Sequence, residues 1–197
     1  MKAEKITGVI LAGGKNSRMG TDKGLLMVDG KKIIERIIAA LKPVVDEIII
    51  VSNGNNYNNT GYKVYRDIIK ECGPMGGIHT ALSFSNTEKN LVVSCDMPFL
   101  NTETLKFIAE NSNICEIAIP EHNKITEPLC AVYSSVCRNK FSQLIARGEW
   151  KLRDSLKYFN VKTILFENKS GIEKIFSNIN TKEEYKNLTE NEYEYTS

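Results

Sequence analysis

Gly8-Val9-Ile10-Leu11-Ala12-Gly13-Gly14-Lys15-Asn16-Ser17-Arg18-Met19-Gly20-Thr21-Asp22-Lys23 joins an uninterrupted apolar run to a loop rich in glycine and cations. A short run with no polar position predicts a strand covered on both faces, as in a parallel sheet. A loop leaving the carboxyl end of such a strand lies where open α/β sheets bind ligands. Gly13 and Gly14 let backbone N–H groups close on a phosphate, and Lys15, Arg18 and Lys23 supply compensating charge. The stretch also reads as an ordinary glycine turn flanked by solvated cations. Its spacing fits neither G-x-x-x-x-G-K-[ST] nor G-x-G-x-x-G, which excludes those two phosphate fingerprints.

Outward from this loop, short β-branched runs alternate with segments of helical period. The alternation predicts an α/β fold with helices covering a mostly parallel, mixed sheet. Strands are expected over residues 48–51, 63–67, 91–94, 116–119, 129–133 and 163–166. A helix over 31–42 places Ile33, Ile34, Ile37, Ile38 and Leu41 on one face, and Pro43 ends it. Further helices are expected over 77–84, after a Thr102 cap, over 136–147 and 152–159, and over 181–191. Residues 53–61 (NGNNYNNTG) read as a polar loop and 190–197 as a loose tail. With no linker composition and no repeat, residues 1–197 read as one domain.

Composition narrows the chemistry. A chain of 197 residues that is 42% hydrophobic is long enough for a sizeable core. Its 26 Lys and Arg against 24 Asp and Glu give a net charge of +2, so no overall basic field exists to hold nucleic acid, and phosphate binding must be local. The apolar runs are too short for a membrane span or signal core, and five cysteines without a C-x-x-C pair read as free thiols, so a cytoplasmic protein is expected. Only two histidines are present, which leaves little for a histidine triad or a multi-histidine metal site. Carboxylates, lysines and backbone amides must carry the chemistry.

Three further motifs supply them. Asp96, in Cys95-Asp96-Met97-Pro98, ends the apolar run of Leu91, Val92 and Val93 on the same sheet edge as the glycine loop. A hard carboxylate there suits Mg²⁺, although a turn carboxylate before Pro98 is the plainer reading. Asp67 ends another strand, and Cys95 reads as a small buried hydrophobe. Gly73-Pro74-Met75-Gly76-Gly77 opens a helix near Ile78, whose free N–H groups could meet a ligand. Asn178-Ile179-Asn180-Thr181 precedes Glu183 and Glu184, so a helix cap accounts for Thr181, while Asn178 and Asn180 share a side of an extended segment. Glu127 before Pro128 suits a surface charge in a turn, and Arg147, Lys151 and Arg153 form a basic cluster that could meet an anionic phosphate, with a solvated helix face as the plainer reading.

Leu11-Ala12-Gly13-Gly14 with Ser17-Arg18-Met19-Gly20 and Asp22-Lys23 resembles the signature of nucleotidyltransferases with a GT-A-like fold. Gly73-Pro74-Met75-Gly76-Gly77, Cys95-Asp96-Met97-Pro98-Phe99, Glu127-Pro128-Leu129-Cys130-Ala131-Val132-Tyr133 and Asn178-Ile179-Asn180-Thr181 complete an ordered set. That set is similar to the molybdenum cofactor guanylyltransferase (MobA) family over residues 7–188, with Met75 where relatives carry leucine. The resemblance implies a three-layer α/β/α, Rossmann-like fold. It implies transfer of GMP from GTP to the phosphate of molybdenum-molybdopterin, with release of pyrophosphate. Leu11, Ala12, Gly13, Gly14, Asn53, Asp67, Lys23 and Asp96 would contact GTP. Asp96 would also hold Mg²⁺, and Lys23, Arg18 and Asp96 would act in catalysis. Gly76, Gly77, Asn178 and Asn180 would face the acceptor, and the segments 73–77, 127–133 and 178–181 would contribute to its pocket. A related cytidylyltransferase, a sugar-phosphate nucleotidyltransferase and a noncatalytic nucleotide or cofactor carrier are the alternatives. Molybdoenzyme apoproteins or cofactor-insertion proteins are transient partners of such an enzyme, and neither nucleic acid nor membrane is expected.

Overall fold

The leading apolar run is the central strand of the sheet. In the computed structural model, which describes residues 5–13, 22–166 and 170–187, the elements follow in chain order. They are β1 (Ile6–Leu11), β2 (Met27–Val28), β3 (Lys31–Lys32), α1 (Ile33–Leu41), β4 (Glu47–Val51), β5 (Lys63–Tyr65), α2 (Gly73–Phe84) and β6 (Lys89–Ser94). The second half supplies α3 (Thr102–Glu110), β7 (Ile117–His122), β8 (Ile125–Thr126), β9 (Cys130–Ser134), α4 (Cys137–Ala146), α5 (Leu152–Ser155), β10 (Val161–Leu165) and α6 (Ile172–Ile175). Residues 182–187 are also helical.

The sheet order is β10-β7-β9-β6-β1-β4-β5, with β8 paired to β7. β1 runs parallel to both β4 and β6, β4 to β5, and β10 to β7; β9 is antiparallel to β6 and β7. This is the mostly parallel mixed sheet expected. Strand alternation divides the core in two. Ile10, Ile48, Ile50, Leu91, Val93 and Val132 pack on one face beneath α1, α3 and α6. Val9, Leu11, Ile49, Val51, Val92 and Tyr133 pack on the other beneath α2, α4 and α5. Both faces of the central strands are therefore covered, which explains their unbroken apolar character. No helix among the described residues is long and apolar enough to cross a membrane.

Several boundaries differ from those expected. Asn101, not Thr102, caps α3: its Oδ1 accepts the Thr104 N–H at 2.9 Å, while the Thr102 hydroxyl donates to the Ala40 carbonyl at 3.1 Å. α2 starts at Gly73 rather than at residue 77, because Pro74 suits a first helical turn and does not delay it. The 63–67 strand ends at Tyr65, and the last strand starts at Val161. The β2–β3 ribbon, β8 and α6 are too short to produce a periodic signal. At the closing helix, the Thr181 hydroxyl accepts the Glu184 N–H at 3.1 Å and Glu184 Oε2 accepts the Thr181 N–H at 3.1 Å, a reciprocal cap. Residues 188–191 of the expected helix lie outside the described residues.

Glu116 ties the second half together from the residue before β7. Its Oε2 accepts from Lys140 Nζ in α4 at 2.7 Å and from the Asn160 N–H ahead of β10 at 2.8 Å. Burial acts to raise this carboxyl, but the two hydrogen bonds and the Lys140 charge outweigh it and hold the group below its ordinary 4.5. A depressed folded value means stability that is present above pH 4.5 and lost as pH falls through the folded value. Solvent screens the half-exposed Lys140, so Glu116→Gln is expected to cost about 1 kcal/mol at pH 7. Urea unfolding at pH 7 and again at pH 3 checks this, and the gap from wild type should narrow at the lower pH.

Candidate active site

Because Leu11 pairs in register with Val51 of β4 and Ser94 of β6, three strands end level on one edge. Backbone hydrogen bonds carry the register past the strands: Ala12 N–H to the Val51 carbonyl at 2.9 Å, and Cys95 N–H to the Leu11 carbonyl at 3.0 Å. The residues that follow, Gly13, Asn53 and Asp96, are neighbours for that reason.

On one side, Leu11, Gly13, Asn53, Asp67, Pro74 and Gly77 line a small pocket. Asn53 and Asp67 lock each other reciprocally: Asn53 Nδ2 donates to Asp67 Oδ2 at 2.8 Å, and the Asp67 N–H donates to Asn53 Oδ1 at 3.0 Å. The pair forms a rigid polar wall. Ala12 is buried behind it.

On the other side, Lys23 Nζ donates to Asn180 Oδ1 at 2.7 Å and lies 3.4 Å from Asp96 Oδ2. The segment carrying Asn180 is pinned to the same corner by the Ile179 N–H, which donates to the Asp96 carbonyl at 2.9 Å. Asp96 Oδ1 is buried and has no hydrogen-bond partner among the described residues. A buried carboxylate oxygen left in that state is costly unless a cation or donor meets it. No cluster of three acidic, histidine or cysteine ligands exists among the described residues. Asp96, with the Asn180 amide oxygen nearby, therefore suits a hard divalent ion that keeps water and substrate phosphate as its other ligands.

Beside this corner opens a cleft of about 660 Å³ lined by Asp96, Glu127, Trp150, Lys151, Arg153 and Asn178, among others. Pro74 lines both this cleft and the smaller pocket.

A brace behind Lys23 holds its approach. Asp22 Oδ1 accepts the Gly24 N–H at 3.2 Å and the Tyr57 hydroxyl, and Asp22 Oδ2 accepts Asn56 Nδ2 at 3.0 Å. Tyr57 is fully buried, and burial, with the Asp22 carboxylate adding to it, pushes the phenol well above its ordinary value of 10. It therefore stays protonated and donates. Gly24 sits so close to Tyr57 that a Cβ there would run into the hydroxyl.

The structure thus brings Lys23, Asp96 and Asn180 together, groups Leu11, Gly13, Asn53 and Asp67, and puts Asn178 in the larger cleft. Gly14 and Arg18 lie outside the described residues. Gly76 and Gly77, expected beside the acceptor, do not line the larger cleft. Since α2 already begins at Gly73, both are inside the helix: a Cβ at Gly76 would meet the Ile69 carbonyl at 2.8 Å, and Gly77 faces Leu11 and Asp67 in the small pocket. Their smallness serves close packing. Lys151 and Arg153 are exposed and also line the cleft, whereas Arg147 does not line it. Sequence reasoning missed Tyr57, Trp150 and the burial of Glu127. A lone aromatic in an asparagine-rich loop and the chain's single tryptophan beside two cations were the available signals.

The sequence model of the MobA-like NTP transferase domain matches residues 8–161. The chain belongs to the MobA-like NTP transferase family. Among members, a probable molybdenum cofactor guanylyltransferase of Clostridium perfringens is 38% identical over 192 residues, 93% of this chain and 96% of that one. Another from Pelotomaculum thermopropionicum is 39% identical over 180 residues, 89% and 87% of the two chains. The crystal structure of molybdopterin-guanine dinucleotide biosynthesis protein A from Archaeoglobus fulgidus superposes with a TM-score of 0.78 at 27% identity, covering 95% of this chain and 99% of that one. In this MobA-like chain the brace makes a specific demand. Gly24→Ala is expected to destabilise by about 2 kcal/mol through overpacking, and by clearly less in a Tyr57→Phe background, where the obstructing hydroxyl is gone. A double-mutant cycle from denaturant unfolding measures the difference.

Proposed function

We propose that the protein transfers GMP from GTP to the phosphate of molybdenum-molybdopterin, forming the guanine dinucleotide cofactor and pyrophosphate in the cytoplasm. The observation that carries this reading is the convergence of Lys23, Asp96 and Asn180 at one corner of the large cleft. GTP is assigned to the small-pocket side, against Leu11, Gly13, Asn53 and Asp67, and the pterin phosphate to the cleft. Family membership and the names of the relatives support both substrates.

The acceptor phosphate attacks the α-phosphorus, a new P–O bond forms, and the bond to the β-phosphate oxygen breaks. Both reactants are anions, so the protein must offset repulsion and hold the reactants in line. Lys23 brings a positive charge that Asn180 orients and Asp96 keeps at the corner. Mg²⁺, held by Asp96, would supply further charge neutralisation at the phosphates. No side-chain base is needed, since a phosphate nucleophile is already ionised at neutral pH.

Pyrophosphate release from Mg²⁺-GTP, measured with and without molybdenum-molybdopterin and with CTP in parallel, tests the proposal. Release that requires GTP and the pterin together is expected. Release with CTP instead would assign a cytidylyltransferase, and nucleotide binding without release would assign a carrier. In the same assay Lys23→Ala and Asp96→Asn should each lower turnover roughly 10²-fold or more, the scale of losing one electrostatic stabiliser. Near-normal turnover in folded Asp96→Asn would remove the metal from Asp96.

A further inference from the structure

Glu127 is a nine-tenths buried carboxylate on the wall of the acceptor cleft. His122 Nε2 lies 3.2 Å from its Oε1. The His122 ring is stacked on Phe176, with centroids 5.0 Å apart and planes 8° apart, and its Nδ1 is buried without a hydrogen-bond partner among the described residues. A proton on Nδ1 would have nowhere to go, so the proton belongs on Nε2, where it is donated to Glu127. The imidazole thereby fixes the carboxylate plane. Oε2 has no hydrogen-bond partner among the described residues, and Glu127 lines the cleft.

The other carboxylates lining this cleft are differently committed. Asp96 faces Lys23, and Asp154 is exposed. The cleft also presents Trp150, whose Nε1 donates to the Ile145 carbonyl at 3.1 Å while the residue stays 49% exposed. The pinned indole offers an apolar wall of the size of a fused heterocycle. Next to Glu127, the Thr126 carbonyl and hydroxyl accept from Arg153 at 2.9 and 3.1 Å, which fixes a cation at the same wall.

Resting on the acceptor assignment above, we propose that Glu127 reads the 2-amino-4-oxo edge of the pterin ring. That edge carries two parallel donors, the ring N3–H and the 2-amino group, and a carboxylate is the side chain that accepts both. A 2,4-dioxo ring of the same shape places an acceptor where the amino group was and would face the carboxylate with like polarity. Glu127 is thus a specificity-determining residue, and His122 positions it.

The chain's single tryptophan gives a local readout. Quenching of Trp150 fluorescence by 6,7-dimethylpterin is compared with quenching by 6,7-dimethyllumazine, its 2,4-dioxo counterpart, in wild type and in Glu127→Gln. The wild type is expected to bind the pterin roughly ten-fold or more tightly than the lumazine, the scale of losing one hydrogen bond to a charged group. Glu127→Gln should bring that ratio near one and raise KM for the molybdopterin acceptor roughly ten-fold, leaving KM for GTP unchanged. The amide keeps an oxygen for His122, so the variant should fold; if it does not, the wild-type pair of ligands decides alone. Equal binding of the two heterocycles by wild type, or an unchanged ratio in the variant, overturns the proposal. A raised KM for GTP instead does so too, because guanine has the same donor edge. Pyrophosphate release with a ratio of one sinks the edge reading alone. A ten-fold ratio without any release sinks the transferase reading and leaves a pterin site read by Glu127.

Discussion

The register of β1 between β4 and β6 is the constraint on which the site depends. Three parallel strands that end level deliver Gly13, Asn53 and Asp96 to one edge, and the N–H groups of Ala12 and Cys95 extend the pairing one residue beyond the strands. A slip of one residue would turn Leu11 from the α2 face to the α1 face and invert both cores. The buried alternation of Val9, Ile10 and Leu11 therefore fixes the site as firmly as it fixes the fold. Gly77 shows the coupling directly. Its missing side chain lets α2 sit against Leu11, and the same proximity closes the small pocket around Asp67.

The second requirement is long-range. Lys23 and Asn180 are separated by 157 positions, yet share a hydrogen bond, and Tyr185 donates to the Met27 carbonyl at 2.9 Å from the closing helix. The carboxyl-terminal segment straps the amino-terminal loop to Asp96, so the charged corner forms only once both ends of the chain have docked. The cost of ordering these polar groups is offset by the cores beneath them, where Ile179 is buried with Phe176 and Ile172. A site of this kind is assembled by tertiary packing, and local propensity has little part in it.

That division explains what could be read in advance. The apolar runs of β1, β4 and β6, the amphipathic face of α1 and the strand-end position of Asp96 each leave a local pattern, and the structure agrees with them. Asn180 was readable as a residue sharing a side with Asn178, but its partner Lys23 was not, since nothing local encodes a contact across the whole chain. Tyr57 looked like one more polar-loop residue because its burial depends on Asp22 and Gly24 approaching from elsewhere. Glu127 looked like a turn charge because its partner, His122, meets it only through the β7–β8 hairpin, whose two turn residues Asn123 and Lys124 take positive φ. The start of α2 is obscured in the sequence because Gly73-Pro74 is typical of a loop, whereas Pro74 fits a first turn without loss. For Asn180 and Tyr57 the partners are distant in sequence, whereas Glu127 and Pro74 depend on local turns too short to leave a periodic pattern.

Among the described residues, the thiols and imidazoles nearest the site are held in unreactive states. Cys95 adjoins Asp96, but burial and the Asp96 charge push its thiol up to about 12, so it remains a packed thiol rather than a nucleophile. Cys137 is held at about 12 by burial and the Glu116 charge, and Cys130 is raised beyond that by burial next to Glu127. His79 is lowered by burial and the Arg138 charge and sits in α2 among core residues, while His122 is committed to Glu127. The corner of Lys23, Asp96 and Asn180 offers charge and position. A transfer between two phosphates asks for nothing else: its nucleophile arrives ionised, its leaving group departs as an anion, and the barrier is set by repulsion and misalignment.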